Sequence, residues 1–184
     1  MFIQTEETPN PATLKFIPGR EVLPTGTRDF RSADEAEVSP LAMRIFAIDG
    51  VSGVFLGHDF VTVTRNEAEW PHIKPAVLGA IMEHYLSGAP VLDEGSIEVA
   101  DDANFDEADS ETVAVIKELI ETRVRPAVAN DGGDITFQGF RDGVVFLHMR
   151  GACSGCPSST ATLKQGIENL LRHFVPDVTE VRPV

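Results

Sequence analysis

The chain is short of basic residues, cysteines and long apolar runs. Its 184 residues include 15 Lys and Arg against 29 Asp and Glu, which gives a formal net charge of −14. Nucleic-acid backbones and anionic membrane surfaces both bind basic patches, so this deficit argues against either as a partner. No apolar run is long enough to span a bilayer. The first residues form neither a signal peptide nor an Arg-rich presequence, which predicts a cytoplasmic protein.

Only two cysteines are present, Cys153 and Cys156. Two cysteines can form at most one disulfide within the chain, so a fold held together by several disulfides is excluded. A cytoplasmic setting favours reduced thiols. They form one Cys-x-x-Cys motif, which supplies half of a four-thiolate site. A second copy of the chain is the simplest source of the other half.

A stretch rich in acidic residues divides the sequence. Between Gly88 and Ser110 there are eight Asp and Glu residues and no Lys or Arg. Such a run is typical of a solvated linker, and a docking surface for a basic partner is the alternative. We therefore predict three parts: an N-terminal domain over 1–88, a flexible acidic linker over 89–110 and a C-terminal domain over 111–184.

The N-terminal part has the pattern of a mixed α and β domain. Apolar alternation predicts strands over 12–17, 51–56 and 60–64. The pair Ser39-Pro40 begins a predicted helix over 41–47, and a second helix begins at Trp70-Pro71 and ends before Gly88. This half contains no nucleophile–base arrangement, phosphate loop or metal-ligand cluster that the sequence reveals.

The C-terminal part is also predicted to be α and β. Apolar residues at helical spacing predict a helix over 111–125, which Pro126 ends or kinks. Asp142-Gly143 is a strong hairpin signal between strands over 135–138 and 144–149. The cysteine motif follows, then a helix from Pro157 and a last strand within 177–184. The predicted fold class is α+β, with two small α/β-sandwich domains joined by the acidic linker.

Three kinds of chemistry are compatible with this motif. A thiol–disulfide oxidoreductase of the thioredoxin type normally carries its motif after an early strand, whereas this one follows a hairpin late in the chain. A structural zinc site needs four Cys or His ligands, and His148 is the only nearby histidine. An iron–sulfur cluster takes four thiolates in its commonest forms, which two copies of the motif would provide. Spacing alone leaves a dimeric zinc site and a dimeric cluster both open.

Two sets of motifs resemble a known family. The segment Asp131-Gly132-Gly133-Asp134-Ile135, followed by the stretch from Gly151 to Ser159 that holds both cysteines, is similar to the NifU-type C-terminal domain of Nfu proteins. The N-terminal part resembles the Nfu N-terminal domain in the following segments: 4–11, Leu14-Lys15-Phe16, 39–42 and 55–63. The resemblance covers nearly the whole chain, and the lack of a presequence suggests a bacterial member.

The resemblance implies a non-enzymatic iron–sulfur scaffold or carrier. Its cofactor would be a [4Fe–4S] cluster, or a [2Fe–2S] cluster, that bridges two chains through Cys153 and Cys156. The implied partners are a second copy when the cluster is bound, an upstream assembly scaffold and apo-protein clients. No ligand role is implied for the Asp131–Ile135 motif, which we interpret as a glycine-enabled turn.

Overall fold

The computed structural model describes residues 2–93, 104–105, 109–152 and 157–184, and only the backbone of 104–105 and 157–160. The chain divides into two compact units, Met1–Val99 and Ala100–Val184. Each has its own hydrophobic core. Among the described residues, no helix combines the length and apolar character needed to cross a bilayer.

The first unit is a five-stranded antiparallel sheet with two helices. Its strands lie in the order β1-β2-β5-β4-β3. The bounds are as follows: β1 Gln4–Glu7, β2 Thr13–Ile17, β3 Arg28–Phe30, α1 Pro40–Phe46, β4 Val51–Leu56, β5 Val61–Arg65 and α2 Trp70–Ser87, with a 3-10 turn at Glu35–Val38. Apolar side chains of both helices and of the sheet form the first core.

The predicted helix boundaries in this unit are confirmed. Ser39 caps α1, because its Oγ accepts a hydrogen bond from the backbone N–H of Ala42 at 3.1 Å. Gly88 follows α2 with a φ of 70°, a left-handed conformation that suits glycine and ends the helix. The three predicted strands are also present. Edge strands β1 and β3 are additional to the prediction.

The second unit is a four-stranded sheet with helices. Its strands lie in the order β6-β7-β8-β9. The bounds are as follows: β6 Asn104–Phe105, α3 Ser110–Leu119, α4 Arg125–Asn130, β7 Gly133–Arg141, β8 Val144–Gly151, α5 Pro157–Phe174 and β9 Glu180–Pro183. Strands β7 and β8 are antiparallel, whereas β6 and β9 run parallel to their neighbours. The predicted α+β class is therefore confirmed.

The helix predicted over 111–125 does not end at Pro126. A π-helical segment, Ile120–Val124, follows α3, and the chain continues as α4 to Asn130. Pro126 lies in the first turn of α4, where a missing backbone N–H costs little. Of the two predicted outcomes, an end at Pro126 is wrong, because the wider π-helical turn before the proline interrupts the regular helix and lets the helical path continue.

Both ends of the predicted linker contact folded parts of the chain. Val91 and Leu92 pack against the first core, and the backbone N–H of Asp93 donates to the carbonyl of Val38 at 2.8 Å. Asn104–Phe105 forms strand β6 beside β7. The boundaries 1–88, 89–110 and 111–184 stay a prediction, since much of the linker lies outside the described residues.

Candidate functional site

The cysteine motif occupies the short connection between β8 and α5. Strand β8 ends at Gly151 and α5 begins at Pro157, as the sequence predicts. Cys153 and Cys156 themselves lie outside the described residues, and their ligand role stays a prediction. The structure nevertheless fixes both ends of the connection.

The incoming end is fixed by a turn on the neighbouring strand. Ala152 is buried, and its backbone N–H donates to the carbonyl of Gly132 at 3.3 Å. In the β7–β8 ladder, Gly133 pairs with Gly151. The hairpin turn at Asp142-Gly143 and a one-residue register shift between Phe137 and Gly139 together set this pairing, so the far ends of the two strands meet beside the cysteine motif. The Asp131–Ile135 motif is thus a neighbour of the cysteine connection as well as a turn.

The same motif contributes a buried ion pair. Asp134 is only 4% exposed, and its carboxylate accepts two hydrogen bonds from Arg125, from Nε at 2.9 Å and from Nη2 at 3.0 Å. Arg125 Nη1 also donates to the Glu121 carboxylate at 2.7 Å. Two parallel bonds of this kind fix the orientation of both groups. The pair therefore ties the start of β7 to the start of α4.

Electrostatics around this pair favour the charged state of the arginine. Hydrogen bonding to Asp134 raises the pKa of Arg125 further above its ordinary value, although burial acts in the opposite direction. The charge of Glu121 adds to the rise. Sequence reasoning missed this pair. The i, i+4 spacing of Glu121 and Arg125 was the available signal, but it does not point to Asp134.

The described residues hold no alternative metal site. Within these ranges, no group of three or more His, Cys, Asp or Glu side chains is arranged to hold a metal ion. His148 lies in β8, where it pairs in register with Thr136. The strand position predicted for His148 is thus confirmed.

Comparison with known proteins gives the same domain order. Residues 3–88 match the family described as the scaffold protein Nfu/NifU N-terminal domain, and residues 116–182 match the NifU-like domain. A solution structure of a NifU-like protein from Saccharomyces cerevisiae is 28% identical, with a TM-score of 0.46 over 51% of this chain and 86% of that one.

Two longer relatives are more similar in sequence. NifU-like protein 4, mitochondrial, from Arabidopsis thaliana is 53% identical over 98% of this chain and 65% of its own length. The NFU1 iron-sulfur cluster scaffold homolog, mitochondrial, from Drosophila ananassae is 50% identical over 100% of this chain and 64% of its own length. The chain therefore spans just under two thirds of the length of these relatives.

These relatives overturn the predicted location. The sequence suggested a bacterial cytoplasmic protein, but relatives matched over nearly the whole chain are named as mitochondrial proteins. That prediction is wrong because it rested on the composition of the first few residues alone. Both domain matches and the similarity along the whole chain agree on one conclusion: the chain belongs to the Nfu/NifU family of iron–sulfur cluster scaffold proteins.

Proposed function

We propose that this protein is a carrier that holds a [4Fe–4S] cluster between two copies of the chain and passes it to apo-proteins. The observation that carries the proposal is the position of the only two cysteines. They lie in a connection whose ends are a buried, hydrogen-bonded alanine and the first turn of an 18-residue helix. A relative is named as an iron–sulfur cluster scaffold, and in this proposal the cluster is cargo.

The number of thiolate ligands is the reason for proposing a second copy of the chain. A cubane cluster takes four thiolates in its commonest form, and one chain has two. Among the described His, Asp and Glu side chains, no group of three or more is arranged to hold a metal ion. A two-fold axis at the cysteine connection provides four thiolates, as two symmetry-related pairs from two identical surfaces.

The fold supports thiolate ligands at this place. Backbone N–H groups in the first turn of a helix lack intrahelical partners and stabilise nearby negative charge. Helix α5 begins at Pro157, directly after Cys156. Thiolates at a helix N-terminus have a lowered pKa as a class and bind metal in that form.

Transfer of the cluster to a client follows from the small number of ligands that each chain supplies. Each copy binds through one short connection, so a client thiolate replaces the ligands one at a time. No bond within the carrier's chain has to break. We propose that the protein is not an enzyme, that its partners are an upstream scaffold and apo-protein clients, and that it works in mitochondria as its named relatives do.

Anaerobic reconstitution with iron and sulfide tests the proposal. The expected product is a brown dimer with about four iron and four sulfide per two chains, measured by light scattering and metal assay on one chromatographic peak. A colourless zinc-bound protein would favour a structural zinc site. A chain that remains monomeric and cycles a Cys153–Cys156 disulfide with dithiol reductants would favour thiol redox chemistry.

Single substitutions separate the shared site from other modes of binding. Cys153→Ser and Cys156→Ser should each abolish stable cluster binding and cluster-dependent dimerisation. Ser52→Ala, which removes an exposed hydroxyl in the first unit, is the matched control and should leave both unchanged. A Cys153→Ser chain that retains a full complement of iron would contradict the shared site.

A further inference from the structure

The loop between β1 and β2 lines a pocket that the proposed function does not use. The loop belongs to the part of the chain that matches the Nfu N-terminal domain. The pocket has a volume of about 230 Å³ and lies between this loop and the start of α2, and its apolar wall consists of Pro9, Pro11, Leu14 and Trp70. Small-molecule sites have volumes of roughly 300–1,000 Å³, so this pocket fits a side chain rather than a cofactor.

The walls of this pocket are held in place before anything binds. The indole N–H of Trp70 donates to the carbonyl of Pro11 at 3.2 Å, and the guanidinium of Arg65 lies 5.9 Å from the centre of the Trp70 ring. The Thr8 hydroxyl lies 2.9 Å from the carbonyl oxygens of both Asn10 and Thr13. A site with such fixed walls loses little conformational entropy on binding.

Asn10 lines the pocket and has hydrogen-bond donors without a partner. It is only 9% exposed, and its Oδ1 accepts a hydrogen bond from the backbone N–H of Ala12 at 3.0 Å. That bond identifies the oxygen, so the other side-chain atom is the Nδ2 amide. Across the part of the chain that the structure describes, no group accepts a hydrogen bond from Nδ2. A carbonyl oxygen that enters the pocket would be such an acceptor.

The pocket adjoins an open edge of the first sheet. Strand β1 is the outermost strand, and among the described residues it pairs with β2 alone. Backbone groups alternate in direction along a strand, so two of its four residues direct N–H and C=O groups away from β2. Glu7 ends this strand and also lines the pocket. A chain that pairs with the edge of β1 therefore leads into the pocket.

The charge at the pocket indicates the kind of chain that fits. Glu7 is the only ionisable residue among those that line the pocket. Its side chain is exposed and has no ion-pair partner among the described residues, whereas the neighbouring Glu6 already lies 3.9 Å from Lys15. A basic side chain beside the pocket would therefore meet a free carboxylate.

We propose that this site binds an extended segment of a partner protein, in which an apolar residue is followed by Arg or Lys. The segment adds to β1 as an antiparallel strand, like the other strand pairs of this sheet. Its apolar side chain fills the pocket against Trp70, and a carbonyl at this end accepts a hydrogen bond from Asn10 Nδ2. Its basic side chain pairs with Glu7. In such strand addition, main-chain hydrogen bonds supply affinity and the pocket supplies selectivity.

The site is short, so we expect weak, reversible binding with a Kd of about 0.1 mM. It lies in the first unit, whereas both cysteines lie in the second. The proposal therefore holds or fails independently of the proposed carrier function.

A set of capped synthetic peptides tests the proposal on the full chain. The peptides vary the first two residues over all residue types and continue with alternating threonine and valine. Trp70 is the only tryptophan and lines the pocket, so its fluorescence reports occupation of the site. Binding should be tightest with an apolar residue first and Arg or Lys second, and it should weaken at about 0.5 M salt. A set in which no peptide changes Trp70 fluorescence, or in which acidic second residues bind best, would overturn the proposal.

Substitutions locate the binding at this pocket. Asn10→Asp keeps an acceptor for the Ala12 N–H but removes the amide donors, so it should weaken binding about fivefold. Glu7→Gln should weaken binding of the basic peptides about threefold. Glu37→Gln is the matched control, because Glu37 is an exposed acidic residue beyond the opposite edge strand, β3, and it should leave binding unchanged. Equal binding by Asn10→Asp and the unaltered chain would contradict the assignment.

Amide hydrogen exchange tests the strand addition. A saturating basic peptide should slow exchange in β1 and leave exchange in the other edge strand, β3, unchanged. Bound peptide without protection of β1 would rule out the proposed pairing.

Discussion

Arg125 and Asp134 form a two-pronged ion pair at the base of the cysteine connection. The carboxylate is almost fully buried, whereas the arginine also reaches the exposed Glu121. The edge of the guanidinium that carries Nε and Nη2 thus binds Asp134 at the start of β7. This part of β7 pairs with the end of β8. Stability of the strand pair that leads into the cysteine connection therefore depends on this contact.

Asp134→Asn should destabilise the second unit by roughly 3 kcal/mol, because it leaves a partly buried guanidinium without its main counter-charge. Glu121→Gln removes the exposed partner of the same arginine and should cost less than about 0.5 kcal/mol. Amide hydrogen exchange of β7 and β8 peptides measures the difference. Equal losses of stability in the two variants would contradict a larger contribution from the buried ion pair.

Gly143 and Gly166 should respond in opposite directions to alanine. Gly143 has a φ of 78°, and a Cβ there would lie 2.9 Å from the carbonyl oxygen of Asp177, so Gly143→Ala should destabilise the second unit by more than about 1 kcal/mol. Gly166 lies inside α5 with open space around it, so Gly166→Ala should stabilise by up to about 1 kcal/mol. Hydrogen exchange in the second unit again provides the measurement. A stabilising Gly143→Ala would contradict the hairpin geometry, and a destabilising Gly166→Ala would contradict the open space beside α5.

His84 should make the first unit less stable in mild acid. It is fully buried, and burial lowers its pKa below the ordinary 6.5; the charge of Arg44 acts in the same direction. Neither ring nitrogen has a partner of hydrogen-bonding geometry among the described residues, although the nearby backbone of Ala89 offsets part of the shift. Since the unfolded histidine takes up a proton before the folded one, stability should fall as pH drops below about 6.5.

Urea unfolding followed by Trp70 fluorescence measures this effect, because Trp70 is the only tryptophan and lies in the first unit. His84→Leu should remove most of the pH dependence between pH 7 and 5. His72→Gln changes an exposed histidine of the same helix and should retain it. If His84→Leu retained the full slope, another group would be responsible.

Ser39 joins two parts of the first unit. Its hydroxyl caps α1 and also donates to the carbonyl of Val91 at 2.6 Å. Ser39→Ala should therefore cost about 1 kcal/mol by Trp70 fluorescence and increase proteolysis near residues 91–93. Ser52→Ala, an exposed serine that bonds the Thr64 carbonyl, should change neither quantity. Unchanged proteolysis would mean that Val91 and Leu92 are held by packing alone.

Local sequence signals predicted the elements whose ends are marked by cap or turn residues. Ser39-Pro40, Gly88 and Asp142-Gly143 each have a conformational preference that acts within a few residues, and each lies where the sequence places it. The strand–cysteine–helix order followed from the same kind of signal. The edge strand Gln4–Glu7 was not predicted because it is short and polar, and its pairing with β2 depends on residues farther along the chain.

The missed parts of the site depend on tertiary contacts. Arg125 and Asp134 are nine positions apart on different elements, and neither residue type by itself indicates a buried ion pair. Pro126 was interpreted by its usual effect on a helix, whereas the π-helical turn before it changes that effect. The ligand role of Cys153 and Cys156 stays a prediction, which rests on their being the only two thiols of the chain.

Strand β8 lies between β7 and β9, with neighbours on both sides. Strand β9 pairs only with Val144–Leu147 of β8, so the end of β8 that leads into the cysteine connection is paired with β7 alone. At this end of the sheet the stem is held by the β7–β8 ladder and by the hydrogen bond from Ala152 to Gly132. A local opening there leaves the β8–β9 ladder in place, so the connection can change shape while the other half of the sheet stays paired.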